Sequence, residues 1–353
     1  MINKKSLEIE WINKVSIANR NADKILVEKV IRALLLLEGL ANQNIDFVFK
    51  GGSAVMLLLD SSKRLSIDIN IILPKIPDNF DELLDNITKE QDFTRVLLKE
   101  EQPEAENKKI HYQFFYQPVH KTHEAEERIL LDVHFEDVKY SKVIEQPILS
   151  SFILEKGEPL SISVPSIEDI LGEKLTAFAP NTIGIPYYAD GKSMNLQIIK
   201  QLYDIGNLVD DSMNLDIVKK TFIIFAKTEI ESSNNKLSTD DVLEDIFQTS
   251  LCIATRGMAG NGNFEELLKG IQRVSPFIFS EPFHIDKVIT SASKAAYVAM
   301  LIKYNAKLVE KYINDLQVKE WIITEPLNTK LNKLKKSNPE AFFYWFKIYE
   351  LMV

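Results

Sequence analysis

Cysteine is nearly missing from this chain: Cys252, in the apolar run SLCIAT, stands alone among 353 residues. An internal disulfide is thereby excluded, and the expected role of the thiol is buried packing rather than redox chemistry. Long apolar runs are missing too. The longest, such as the four leucines at 34–37, fall far short of the roughly 20 residues that cross a bilayer. The opening MINKKSLEIEW is charged and no apolar stretch of signal-peptide length follows it, which predicts no secretory leader. An excess of positive charge is also lacking, since 51 acidic residues face 42 basic ones for a net charge of −9. A surface that binds nucleic acid everywhere by charge alone is therefore excluded, although a local basic groove is not. No internal repeat or low-complexity tract stands out. These absences predict a soluble, cytoplasmic protein with no membrane partner.

What is present suffices for a large core. At 45% hydrophobic and 26% charged, a chain of this length suits two domains better than one. Residues 5–42 carry apolar residues at helical spacing, with a polar break at Arg20–Asp23 and an end at Asn44. Asp78 or Asn79 is positioned to cap a helix running to about residue 100, with Leu83, Leu84, Ile87, Phe93, Val96 and Leu97 on its buried side. A solvated loop follows at 101–109. Two strand-like runs, 110–119 and 128–138, are joined by the polar segment HKTHEAEE. A short strand at 161–164 leads to Pro165 and to Ser166-Ile-Glu-Asp169, a capping box that opens a helix to about Phe178. The loop APNTIGIPYYADGKSMN precedes the helix LQIIKQLYDIGNLVD. From about 213 the pattern is helical throughout, with breaks at ESSNN, GMAGNGN, SEPF and TEPLN. The expected division is a mixed α and β domain over 1–210 and an all-helical domain over 211–353.

The stretch that carries chemistry is 45–73, IDFVFKGGSAVMLLLDSSKRLSIDINIIL. A strand-like run meets Lys50 and the pair Gly51, Gly52, passes into a short helix-like segment, breaks at Asp60–Lys63 and resumes as an alternating strand. In that strand Leu65, Ile67, Ile69 and Ile71 share one parity and Ser66, Asp68 and Asn70 the other, so the polar set leaves one face. The later strand repeats the device, with Ile129, Leu131, Val133 and Phe135 alternating with Leu130, Asp132, His134 and Glu136.

Metal-assisted nucleotidyl transfer needs carboxylates to hold divalent cations against a triphosphate, and backbone amides that approach its phosphates closely. Hard oxygen ligands suit Mg²⁺, which binds through one or two carboxylates together with substrate phosphates. Glycines let the backbone come close, and a following helix start adds free N–H groups and its positive dipole end. Gly51, Gly52 and Ser53 fill that place. Asp68 is the expected principal metal ligand, Asn70 its neighbour on the same face, and Asp132 a third member from another strand. Taken singly each reads equally as an exposed strand residue; the combination is what singles them out.

With the residues in view, KGGSAVMLL…KRLSIDINI resembles the opening motifs of the AbiEii/AbiGii toxin family, nucleotidyltransferase-like toxins that include the MenT group. ILGEKLTAF and IIKQLYDIGNL then supply Lys174 and Asp204 in the order and context of that family's later lysine and aspartate motifs. The resemblance spans roughly residues 20–210 and, more loosely, the helical remainder. It implies an α+β fold: a nucleotidyltransferase-like mixed sheet flanked by helices, followed by an all-helical C-terminal domain. It further implies that Gly52 and Ser53 hold phosphate, that Asp68 binds metal, that Lys174 contacts nucleotide phosphate or base, and that Asp204 acts in the site or braces it. Lys50 and Arg64 join as cations for the triphosphate, since a guanidinium engages phosphate oxygens in two bonds. The implied cofactor is Mg²⁺ or Mn²⁺, with an NTP as substrate. The implied acceptor is an RNA such as the 3′ end of a tRNA. The implied setting is a toxin–antitoxin or phage-defence system with an AbiEi-like, winged-helix antitoxin.

One departure matters: the family carries a second carboxylate where this chain has Asn70. An amide oxygen coordinates a hard cation but brings no charge, so the metal is held less tightly. Two rival readings stay open, a nucleotide- or partner-binding protein that has lost turnover and a nucleotidyltransferase acting on a small hydroxylated molecule. Plainer roles stand beside the sharp ones. Lys174 reads also as a solvated helix lysine, Asp204 as the i+4 partner of Lys200, Asp132 as a solvated strand residue, and Ser66 as a side chain bonding nearby backbone. His111, His120, His123 and His134 match no strong metal motif and read as surface or hairpin histidines. The lysines of KLNKLKKSN read as one helix face backed by an aromatic core at Phe342–Trp345 rather than as an RNA-stacking surface.

Overall fold

The computed structural model describes residues 1–353 except 60–63, 103–107, 121–124, 213, 234–235 and 315–317. The expected break at Asp60–Lys63 and the histidine His123 lie outside the described residues. The chain divides into two compact units, Met1–Ser166 with Pro276–Pro282, and Ile167–Ser275 with Phe283–Val353.

The first unit opens with helices α1 (Ile9–Ala18) and α2 (Lys24–Asn42). Asp23 starts α2 by accepting the Leu26 amide at 3.0 Å, which satisfies one of the helix's unpaired donors. Strand β1 (Val48–Lys50) runs straight into α3 (Gly51–Leu58), followed by β2 (Ile69–Ile72), α4 (Phe80–Glu90), β3 (Arg95–Gln102), β4 (Lys108–Tyr116), β5 (Glu127–Phe135), β6 (Val143–Pro147) and β7 (Ser161–Pro165). Among the described residues these strands form one seven-stranded sheet in the order β3-β4-β5-β2-β1-β7-β6. The sheet is mixed: β2 runs parallel to β5 and β1 to β7, while β1–β2, β3–β4, β4–β5 and β6–β7 are antiparallel.

Alternation along the strands decides which face is core. Phe49, Ile69, Ile71, Ile110, Tyr112, Phe114, Ile129, Leu131 and Val133 are buried, each burial contributing on the order of 1.5–3 kcal/mol. Helices α2 and α4 cover this face. The Arg32 guanidinium of α2 lies 4.7 Å from the centre of the Tyr116 ring, and Phe80 of α4 meets Tyr112 edge-on. On the opposite parity of the same strands Asn70, Asp132 and His111 are half-buried, while Lys50 and Ile72 are buried.

The second unit comprises α5 (Ile167–Ala177), the hairpin β8 (Tyr188–Ala189) and β9 (Lys192–Ser193), α6 (Asn195–Asp211), α7 (Leu215–Ser233), α8 (Thr239–Ala254), α9 (Phe264–Val274), α10 (Ile285–Lys303), α11 (Leu334–Ser337) and α12 (Pro339–Met352). Ser238 and Asp241 form a capping box at the start of α8. Asp245 of α8 pins the connection after α5, accepting from the Asn181 amide at 2.8 Å and the Thr182 hydroxyl at 2.9 Å. Phe342, Phe343, Tyr344 and Trp345 of α12 are buried, so they form core. Cys252 is buried in α8, and burial pushes its thiol pKa up. Among the described residues no helix is long and apolar enough to cross a membrane.

The α+β architecture follows the expectation, with three differences of detail. The helix expected to reach residue 100 stops at Glu90, because Asp92 takes a left-handed φ of 56° and Phe93 turns in to pack against Phe114 and Tyr116. Residues 95–102 then pair with β4 instead. Helical structure is also interrupted over much of 304–328. Asn305, at φ 53°, ends α10, and side chains then take up main-chain amides: Tyr297 Oη accepts from Glu310 N at 3.1 Å and Asn332 Oδ1 from Ile323 N at 3.0 Å. Finally, the packing division comes after Ser166, whereas residue 210 lies near the end of α6 inside the second unit, where α6 packs on α5, α9 and α10.

Candidate functional site

The half-buried face of the sheet gathers its polar residues by register. Lys50 of β1 is the partner of Asn70 on β2, Asn70 of Asp132 on β5, and Asp132 of His111 on β4. Directly paired residues project from the same face, so these four side chains form one row across four strands. At about 4.8 Å per strand the row spans roughly 14 Å. Asp68 lies two residues before Asn70 on the same parity, half-buried at the entry to β2.

The glycine turn fits against this row. Gly51 has φ +80°, and a Cβ built there would lie 3.3 Å from the Asn70 side-chain nitrogen. A Cβ on Gly52 would run into the Arg64 guanidinium and come within 2.9 Å of the Ser66 hydroxyl. The turn thus requires glycine for two separate reasons: a left-handed backbone at Gly51 and close approach of polar side chains at Gly52. Ser53 Oγ donates to the Asp68 carbonyl at 2.6 Å, tying the first turn of α3 to the strand that carries the acid. Lys50, at the N-cap of α3, makes no side-chain cap.

Arg64 reaches its place through main-chain pairing. It bridges to Ile278, the Leu65 amide donates to the Phe277 carbonyl at 2.7 Å, and Arg64 Nη1 donates to the Leu65 carbonyl at 3.2 Å. Both Arg64 and Lys50 are buried, Lys50 directly before the glycine turn and the Arg64 guanidinium against Gly52. Asp132 Oδ1 accepts from His111 Nδ1 at 2.6 Å, since an ionised carboxylate has only acceptor atoms.

Asp68, Asp132 and Asn70 offer two carboxylates and an amide oxygen, the donor chemistry of a hard divalent cation whose shell substrate phosphates and water complete. The set fits Mg²⁺ or Mn²⁺ on those terms. It does not constitute an all-protein cage: among the described residues no group of three or more His, Cys, Asp or Glu is placed to hold a metal.

Lys174 and Asp204 come together in the second unit. Lys174 Nζ of α5 stands 2.7 Å from Asp204 Oδ2 of α6, with side-chain exposures of 6% and 2%, and donates to Gln201 Oε1 at 2.9 Å. Lys174 is therefore buried rather than solvated, and Asp204 has an ion-pair partner on another helix. The residue that sequence reasoning passed over is His111. Its parity on β4 was readable, but a ten-residue connection with no two-residue turn signature leaves the β4–β5 register undetermined.

Three comparisons with known proteins bear on this arrangement. The family model described as nucleotidyl transferase AbiEii toxin, type IV toxin–antitoxin system, matches residues 35–310. Comparison with curated protein sequences gives no significant match. Among solved structures, JHP933 from Helicobacter pylori is 15% identical at a TM-score of 0.40, over 86% of this chain and 94% of that one. An antigenic nucleotidyltransferase-like protein from Paracoccidioides brasiliensis is 16% identical at a TM-score of 0.33, over 60% of this chain and 92% of that one.

Proposed function

The chain belongs to the AbiEii nucleotidyl transferase toxin family of type IV toxin–antitoxin systems, and from that premise we propose that it transfers a nucleotide from an NTP to a hydroxyl of RNA, the 3′ end of a tRNA in particular. The acceptor oxygen forms a bond to the α-phosphorus as its O–H bond breaks and the proton passes to solvent, the bond from that phosphorus to the β-phosphate bridging oxygen breaks, and pyrophosphate leaves. The observation that carries this reading is the register of Asn70 with Asp132 beside a glycine turn overlaid by Arg64 and Ser66.

The amides of Gly51, Gly52 and Ser53 at the start of α3 receive phosphate oxygens, favoured by the helix's positive end. Arg64 and Lys50 balance triphosphate charge, Arg64 through paired N–H bonds, and Ser66 adds a hydroxyl. Asp68, Asp132 and Asn70 hold Mg²⁺ or Mn²⁺, which when bound neutralises charge at the α-phosphate and polarises the acceptor hydroxyl. Lys174, whose ammonium is held by Asp204 and Gln201, is the nucleotide-contacting lysine that the family implies. Asp204 is then a brace. With a net charge of −9, RNA docks on a local basic groove rather than on the surface at large. We place the reaction in the cytoplasm, restrained by the antitoxin that the family implies, of the winged-helix AbiEi type.

The test is incubation with each α-labelled NTP, Mg²⁺ or Mn²⁺, and total tRNA. Label is expected in the RNA and absent with Asp68→Ala. Nucleotide binding without transfer under every condition would establish the binder instead, and label on a small hydroxylated compound but not on RNA the small-molecule enzyme.

A further inference from the structure

We infer that His111 is a positioning residue for the metal-holding carboxylate of Asp132, an inference that rests on the function proposed above. The two residues are register partners on β4 and β5, their side chains about one-quarter exposed, and the imidazole Nδ1 donates to Oδ1 at 2.6 Å. On the other side of Asp132 stands Asn70, its partner on β2. The carboxylate is therefore set between an imidazole and an amide that belong to different strands, and the one hydrogen bond that orients it comes from His111. Oδ2 makes no hydrogen bond or ion pair among the described residues, so the acceptor left for a cation is a defined atom rather than either of two.

This matters more here than in a site with three acids. Asn70 contributes no charge, so Asp132 carries half of the negative charge in the proposed donor set, and a carboxylate free to rotate would spend part of its time turned away. A partner that locks its orientation raises the fraction of molecules ready to bind, and loss of such a partner commonly weakens metal binding 10- to 100-fold. The pair is not needed to hold β4 on β5, because their backbone ladder runs from Lys108 and Phe135 to Tyr116 and Glu127.

The test measures binding of the Mn²⁺–tripolyphosphate complex by electron paramagnetic resonance, without turnover, in the full chain and in His111→Ala, His111→Asn and Asp132→Ala, alongside thermal melts. His111→Ala is expected to weaken binding about tenfold. His111→Asn, whose amide nitrogen stands where Nδ1 did, is expected to restore it to within about threefold. Nitrogen-15 spectra are expected to show the His111 proton on Nδ1 and a changed Nδ1 signal in Asp132→Ala. Metal binding lost in Asp132→Ala but intact in His111→Ala overturns the role of His111 alone. Equal losses in His111→Ala and His111→Asn do the same, because only the orienting hydrogen bond distinguishes those variants. Binding indifferent to Asp132→Ala overturns the metal site itself, and the function proposed above with it.

Discussion

Replacing Lys174 by methionine separates a brace from a working cation. The ammonium stands 2.7 Å from Asp204 Oδ2 and both side chains are nearly inaccessible, at 6% and 2% exposure. Methionine keeps the length of the side chain but takes the Lys174 ammonium away from the Asp204 carboxylate. Removing one member of a buried pair costs about 3–5 kcal/mol, because the remaining charge has already lost its water. For a folding unit of this size each kcal/mol corresponds to roughly 2–4 °C in melting temperature, so a fall of roughly 6–20 °C is expected by differential scanning calorimetry. In Lys174→Met/Asp204→Leu both charges of the pair are removed, and most of the lost stability is expected to return. Nucleotidyl transfer is measured on the same preparations. If Lys174 contacts the nucleotide, the double variant melts near the parent yet transfers no label. Recovery of transfer along with stability refutes that role and leaves the pair purely structural. A melting temperature for Lys174→Met within about 2 °C of the parent, or a double variant as unstable as the single, refutes the assignment of a coupled buried pair.

Two further expectations concern charge. Asn70→Asp brings a second carboxylate opposite Asp132; it is expected to lower the Mg²⁺ needed for half-maximal transfer about tenfold and to raise turnover, while like charges on paired strands cost about 0.2–1 kcal/mol in metal-free melts. An unchanged Mg²⁺ titration would remove Asn70 from the donor set. Glu266 accepts from Lys269, Ser193 and Asn195, and these bonds, the Lys269 ammonium foremost, pull its carboxyl pKa from 4.5 down to about 2. The folded state therefore resists protonation more than the unfolded chain does, so the stability contributed by Glu266 is complete above pH 4.5 and is lost as pH falls toward 2. Glu266→Gln is expected to melt lower at neutral pH and to show a shallower acid limb, and parallel acid limbs would refute this.

Of the candidate site, the parts written in local periodicity were legible. The alternation around Asp132 placed that acid on one face of β5, the alternation Ser66, Asp68, Asn70 placed Asn70 on one face of β2 with Asp68 just before the strand, and Gly51–Gly52 marked the turn. The β3 strand was not legible because RVLLK satisfies a helical stripe continued from Phe93 as readily as a strand, and only pairing with β4 decides between them. The pairing of Lys174 with Asp204 was not legible for a related reason. Lys200 lies one turn away on the same helix, the nearest choice available to local reasoning, whereas Lys174 lies thirty positions earlier on α5 and meets Asp204 only when the two helices pack.

By itself, then, the amino-acid order determined which side chains share a face, where the chain must turn, and that three acid- or amide-bearing positions suit a divalent cation, because those properties depend on backbone period and on side-chain chemistry a few residues away. Tertiary structure alone decided which strand lies beside which and in what register, and so brought Lys50, Asn70, Asp132 and His111 into one row. Register is a collective property of the sheet: slipping a strand by one residue would turn its whole apolar set away from α2 and α4, and the burial of Ile69, Ile71, Leu131 and Val133 outweighs any preference of the polar row.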